Sequence, residues 1–92
     1  MDRMPEETHV LYVLECSDGT LYAGYTNNLE RRVKAHNDGR GAKYTRARRP
    51  VRCIFCERFE TKREAMQAEY AFKQLRRGQK IGYMTERGGG KP

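Results

Sequence analysis

Residues 9–26 read HVLYVLECSDGTLYAGYT. Two runs rich in Val, Leu and Tyr flank Ser17-Asp18-Gly19, a combination that predicts a β-hairpin. Loop length then sets which side chains share a face. A two-residue Asp18-Gly19 turn pairs Cys16 with Leu21 and sends Tyr12 and Tyr22 to opposite faces. A three-residue loop, with Gly19 in the left-handed region, pairs Cys16 with Thr20. Tyr12 then lies opposite Gly24 and Leu14 opposite Tyr22, so both tyrosines share one face. The three-residue loop is the favoured reading. It leaves open space at Gly24 beside Tyr12, where a backbone or a ligand can come close.

Downstream of the hairpin, Asn27 is the expected N-cap of a helix, with Glu30 as its capping-box partner. At ~100° per residue, Leu29, Val33 and His36 fall within about 40° of one another. Arg32 flanks that stripe, whereas Arg31 and Lys34 point away from it. Residues 37–50, NDGRGAKYTRARRP, lack a hydrophobic period and exceed the usual connection length, which marks a functional loop. VRCIFCERF at 51–59 reads as a third strand. TKREAMQAEYAFKQLRR at 61–77 reads as a second helix, with Thr61 as N-cap, Glu64 as its partner and an apolar face of Ala65, Ala68, Phe72 and Leu75. Glu69 falls on that same face. GQKIGYM at 78–84 is a short final turn or helix, and residues 1–8 and 85–92 are expected to be flexible. The expected fold is α+β: one domain over 9–84, with a three-stranded antiparallel sheet flanked by helices in ββαβα order.

The 92 residues allow one modest core. No apolar run approaches the ~18 residues of a membrane helix, and the N-terminal stretch has no apolar segment of the secretory kind. A soluble, cytoplasmic protein is therefore expected. The net charge of +7 is concentrated. Residues 31–52 hold nine Lys or Arg and a single acid, Asp38. Such a patch fits a polyanion, because clustered cations neutralise phosphates and release their counterions. A membrane surface fits less well, since the patch lacks interleaved Leu, Phe or Trp. The three cysteines, Cys16, Cys53 and Cys56, include a CxxC spacing. In a regular strand, positions i and i+3 face opposite sides, so Cys53 and Cys56 are expected to diverge. Buried reduced thiols are favoured over a metal or redox site.

Five polar groups lean inward: Tyr12, Tyr22, Arg32, His36 and Glu69. Each has an ordinary explanation alone. A strand tyrosine packs with its hydroxyl at the rim, a helix histidine packs, an arginine snorkels, and Glu69 pairs with Arg76 or another cation. Together they supply what phosphodiester cleavage needs: a base for water, a cation for the phosphate charge and a carboxylate for a metal.

VLY at 10–12, YAG at 22–24, NLERRVKAHN at 28–37 and AEYAFK at 68–73 resemble the GIY-YIG nuclease superfamily over roughly residues 9–80. The first triplet departs from the one that names the family. HNDGRGAKYTRARRP at 36–50 further resembles the small stand-alone bacterial members and the nuclease domain of structure-specific endonuclease subunits. The resemblance implies that Tyr12 and Tyr22 are the two motif tyrosines, Arg32 the catalytic arginine, His36 the accompanying histidine and Glu69 the ligand of a single Mg²⁺ or Mn²⁺. One tyrosine would act as general base, and which of the two is left open. Several members carry an asparagine after the glutamate helix. This chain has none beyond Asn37, and Gln74, Gln79 or Lys80 stands in or the role is absent.

The implied activity is an endonuclease cutting one strand per active site, on DNA rather than RNA, with a protein partner that supplies target choice. The nucleic-acid contacts are assigned to Arg31, Lys34, Arg40, Lys43, Tyr44, Thr45, Arg46, Arg48 and Arg49, with Tyr44 stacking on an unpaired base. The alternatives are a nucleic-acid-binding module without useful catalysis and a noncatalytic RNA-associated protein.

Overall fold

The computed structural model describes residues 8–87. Strands β1 (His9–Glu15) and β2 (Leu21–Thr26) form the expected hairpin. The Cys16 N–H donates to the Thr20 carbonyl at 2.9 Å, and Gly19 has φ +84°. The register is that of the three-residue loop, with Tyr12 opposite Gly24 and Leu14 opposite Tyr22. Asp18 fixes the turn by accepting from the Thr20 N–H and hydroxyl at 3.1 and 2.6 Å.

Strand β3 (Arg52–Phe59) pairs antiparallel with β1, so the sheet order is β2-β1-β3 and β2 has an open outer edge. Central β1 is buried on both faces. Leu11 and Val13 join Ala23, Phe55, Phe72 and Met84 on one side, while Val10, Tyr12 and Leu14 join Cys16 and Val51 on the other. A near-continuous apolar run is what such a strand requires.

The β1–β3 pairing slips by one residue. Val13 faces Phe55, whereas Leu14 faces Cys53, which leaves Ile54 as the extra residue of a bulge. The bulge resets the alternation along β3. Cys53 and Cys56 therefore both pack on the Tyr12 side of the sheet, and Ile54 and Phe55 both pack on the other. The expected divergence of the two thiols is corrected by this single inserted residue. All three cysteines are free, and burial pushes each thiol pKa up.

Helix α1 (Leu29–Asn37) lays Leu29 and Val33 on the Tyr12 face. Its cap is Asn28, one residue later than expected, whose side chain accepts from the Arg31 N–H at 3.1 Å. The Thr26 hydroxyl accepts the Asn28 N–H at 3.1 Å, which holds the chain extended until Asn28 and moves the helix start. Glu30 thus lies in the first turn, where its charge suits the helix dipole, instead of at the box position.

The basic loop is more ordered than its composition implied. It contains α2 (Lys43–Arg46). Its exit is tied back by Asn37, which donates to the Val51 carbonyl at 3.0 Å and accepts the Val51 N–H at 2.7 Å.

Helix α3 (Lys62–Lys73) begins at Thr61 as expected, with the Thr61 hydroxyl accepting the Glu64 N–H at 3.1 Å. It buries Ala65 and Phe72 against the other sheet face. The last segment is a full helix, α4 (Arg77–Glu86), in place of the short turn expected. Met84 and Tyr83 pack on Phe55 and Phe72, and the Tyr83 hydroxyl donates to Glu57 at 2.6 Å. That seat explains why the helix runs on through Thr85 and Glu86, which composition placed in a loose tail. The flexibility expected for residues 1–7 and 88–92 falls outside the described residues. The architecture is α+β in three layers, with element order ββααβαα.

Candidate active site

Tyr12 points from the middle of β1 toward α1. It is 1% exposed, and its hydroxyl lies 2.9 Å from His36 Nε2. Gly24 makes the room. A Cβ there would come within 2.5 Å of the Tyr12 hydroxyl, so the open space read at Gly24 is filled by the end of the Tyr12 ring. Arg32 Nε donates to the same oxygen at 3.4 Å, while Arg31 is exposed. The two adjacent arginines face apart as the helix period requires.

His36 is 0% exposed, on the inner face of α1. Its Nδ1 lies 2.8 Å from the Thr45 hydroxyl, which in turn donates to the Ala42 carbonyl at 3.0 Å. The Thr45–Ala42 hydrogen bond favours one tautomer. With its hydrogen given to Ala42, the Thr45 oxygen accepts from His36 Nδ1–H. His36 Nε2 then carries the lone pair that accepts the Tyr12 O–H. The opposite tautomer would leave the Tyr12 hydrogen without an acceptor among the described residues. The Ala42 N–H also points at Nδ1, at 3.4 Å, a contact that suits the opposite tautomer.

Burial, and then the Arg32 charge, lower the His36 pKa below its usual value and keep the ring neutral. Burial raises Tyr12 to about 12, partly offset by the Arg32 hydrogen bond and charge, with Tyr22 and Glu69 adding to the rise. Tyr12 is therefore a neutral phenol hydrogen-bonded to a neutral imidazole.

Tyr22 sits across from Leu14 on the same face. Its ring meets His36 edge-on at 5.3 Å and stacks on Tyr44 at 5.9 Å. A cleft of about 250 Å³ runs along the open edge of β2, lined by Tyr22, Tyr44, Phe72, Lys73 and Lys80. Glu69 reaches this region from α3. Its side chain is 19% exposed and pairs with Lys73 Nζ at 2.8 Å, so its partner is Lys73 and not Arg76. Lys73 Nζ also lies 5.7 Å from the Tyr22 ring centroid.

Among the described residues, no three His, Cys, Asp or Glu side chains cluster as a metal cage. A single partly buried carboxylate suits Mg²⁺ or Mn²⁺, which keep several waters and complete their shells with substrate phosphate. The donor set fits that kind of ion, with Glu69 as the residue that would hold it.

The patch residues separate by what they touch. Arg31, Lys43 and Arg46 are exposed. Lys34 and Arg40 both pair with Asp38, at 3.1 and 3.0 Å. Arg48 pairs with Asp18 at 3.1 Å and covers the Tyr44 ring at 4.0 Å. Arg49 donates to the Arg46 and Asn37 carbonyls. Thr45 departs from its expected contact with nucleic acid: it is 0% exposed and turned inward, because its hydroxyl orients His36. Sequence reasoning missed this role, and also Gly41, where a Cβ would overlap the His36 ring. The available signal was the pair of glycines before a threonine within helix reach of His36. Of the candidate stand-ins for the downstream asparagine, Gln79 is used as a helix cap, accepting from the Arg76 N–H at 2.8 Å, whereas Lys80 lines the cleft.

A family model described as the GIY-YIG catalytic domain matches residues 8–82. The chain belongs to the GIY-YIG family. This GIY-YIG domain is 62% identical over 84 residues to a UPF0213 protein of Bacillus licheniformis, covering 91% of this chain and 87% of that protein. It is 60% identical to the UPF0213 protein YazA of Bacillus subtilis, over 91% and 85% of the two chains. Two solution NMR structures are similar to it. The UPF0213 protein of Bacillus halodurans has 46% identity and a TM-score of 0.59, with 89% and 87% of the chains covered. A protein of E. faecalis has 49% identity and a TM-score of 0.63, with 94% and 90% covered. Among the described residues of the GIY-YIG domain, no helix is long and apolar enough to cross a membrane.

Proposed function

We propose that the protein is a divalent-metal-dependent endonuclease that hydrolyses DNA phosphodiester bonds, one strand per active site. The observation that carries this reading is the buried chain Tyr12–His36–Thr45 with Arg32 against the phenol. A module that only binds nucleic acid does not need this chain together with Arg32, Tyr22 and Glu69.

Tyr12 is the general base. Its phenol takes a proton from the attacking water while passing its own to His36 Nε2, so no free phenolate has to form in a buried site. Thr45 keeps His36 in the tautomer that can receive it. Arg32 contacts the phenol through one nitrogen, and the rest of its guanidinium serves the phosphate oxygens. Tyr22 forms the wall shared by this chain and the cleft. Glu69 would hold the divalent ion, which would supply Lewis-acid stabilisation of the phosphate charge. Tyr44, Arg31, Lys43 and Arg46 receive the strand on the adjoining surface.

The test is cleavage of end-labelled single-stranded, duplex and flap DNA in Mg²⁺ or Mn²⁺, beside EDTA and Glu69→Ala. Metal-dependent cutting that Glu69→Ala abolishes supports the reading. Salt-sensitive binding without cutting, alike in wild type and Glu69→Ala, replaces it with a binding module.

A further inference from the structure

Lys73 has no place in the chemistry above, yet it pairs with the carboxylate assigned to the metal. Its ammonium is 2.8 Å from Glu69 Oε2, faces the Tyr22 ring at 5.7 Å and lines the cleft along β2. Glu69 is a partly buried carboxylate, and a counter-charge beside it offsets the hydration that burial removes. In this structure the counter-charge is the lysine one helical turn on, at i+4.

We propose that Lys73 is a resident cation that holds the divalent-metal position on Glu69 until nucleic acid arrives, and then moves onto the substrate phosphate. The proposal rests on the reading of Glu69 as the metal ligand. A divalent ion and an ammonium repel each other on one carboxylate, so the ion displaces Lys73. The displaced side chain is half-exposed on the rim of the cleft. Its charge is hydrated there and free to pair with an entering phosphate backbone. Metal and nucleic acid are then coupled ligands, and each raises the affinity of the other by the same factor.

Mn²⁺ binding to the full chain, followed by titration calorimetry without nucleic acid, tests this directly. Lys73→Met binds Mn²⁺ about tenfold more tightly than wild type, within the usual range of such couplings. Lys73→Arg, which keeps the charge, stays close to wild type. Lys80→Met removes the same charge from the same cleft without freeing Glu69, and gains much less. A phosphorothioate oligonucleotide raises Mn²⁺ affinity in wild type more than in Lys73→Met. Equal affinities for wild type and Lys73→Met overturn the proposal. So does an equal gain in Lys73→Met and Lys80→Met, and so does an equal rise with the oligonucleotide. Glu69→Gln separates the two readings. If it abolishes Mn²⁺ binding while Lys73→Met gains nothing, only the role of Lys73 fails. If it binds Mn²⁺ as wild type does, or if none of the proteins binds it with or without the oligonucleotide, the metal assignment fails and the proposal with it.

Discussion

His36 shows how a single side chain can be both a structural and a chemical element. It bridges Tyr12 and Thr45 in a buried layer, and burial and Arg32 hold its pKa below the ordinary value. Two pH effects follow. The relay needs an unprotonated Nε2, so cleavage rises with pH through the acid range and levels off once His36 is neutral. His36→Gln, which cannot take the proton, loses about 10²–10⁴-fold in rate, and Tyr12→Phe with His36→Gln loses little more than either alone. Stability moves in the same direction. The unfolded histidine titrates near ~6.5 and the folded one lower, so the unfolded state binds more protons on acidification. Stability is therefore full above the unfolded value and falls as pH drops below it. Thermal midpoints between pH 7 and 5 show a slope that His36→Gln flattens; an unchanged slope would mean that His36 titrates as freely in the folded chain as in the unfolded one.

At the scale of elements, the interlocked basic loop is what keeps the relay closed. The Asn37 side chain supplies both hydrogen-bond partners of the buried Val51 backbone. Asn37→Ala leaves two groups unpaired and costs about 2–3 kcal/mol, measured by urea unfolding. Since Asn37 adjoins His36 and ends α1, the variant also loosens the α1–α2 contact that seats Thr45. A second anchor is the hairpin turn, where Arg48 pairs with Asp18 and its carbonyl accepts the Ser17 N–H at 2.9 Å.

The hairpin register, the inward face of α1 and the α3 apolar stripe were legible in the sequence, because each rests on a period of 2 or 3.6 and a recognisable cap or turn. The β3 bulge was not, since nothing local marks Ile54 as the extra residue; its partner strand decides it. Thr45 was misplaced for a similar reason. Its neighbours are solvent-facing cations, and only the tertiary contact with His36 turns it inward. Of the five proposed site residues, four meet directly, while Glu69 joins them through Lys73 at the edge of β2.

Across the whole molecule, charge and chemistry are adjacent but distinct. The surface cations Arg31, Lys43 and Arg46 carry no part of the relay, whereas Lys34, Arg40 and Arg48 are already held by Asp38 or Asp18. Nucleic-acid affinity is therefore expected to fall steeply with salt, with a log–log slope of about −0.7 to −0.9 per phosphate contacted. Arg46→Ala reduces that slope by about one and leaves the cleavage rate of bound substrate unchanged. A slope insensitive to Arg46, followed by fluorescence anisotropy across a salt series, would move the binding face elsewhere.

The contact between Tyr12 and Gly24 joins the two short tyrosine motifs into a single inherited character. Gly24 is required by the neighbouring ring end and not by its own backbone, which shows no positive φ. Its tolerance to change therefore depends on the history of another position. In a chain that still carries the phenol, Gly24→Ala forces that ring out of place and is destabilising as well as inactivating. In a chain already altered by Tyr12→Leu, the same alanine costs far less, and the double-substitution cycle is strongly non-additive. Loss of activity and tolerance of a larger residue at 24 can thus accumulate only in that order, which makes the path away from catalysis easy to extend and hard to retrace.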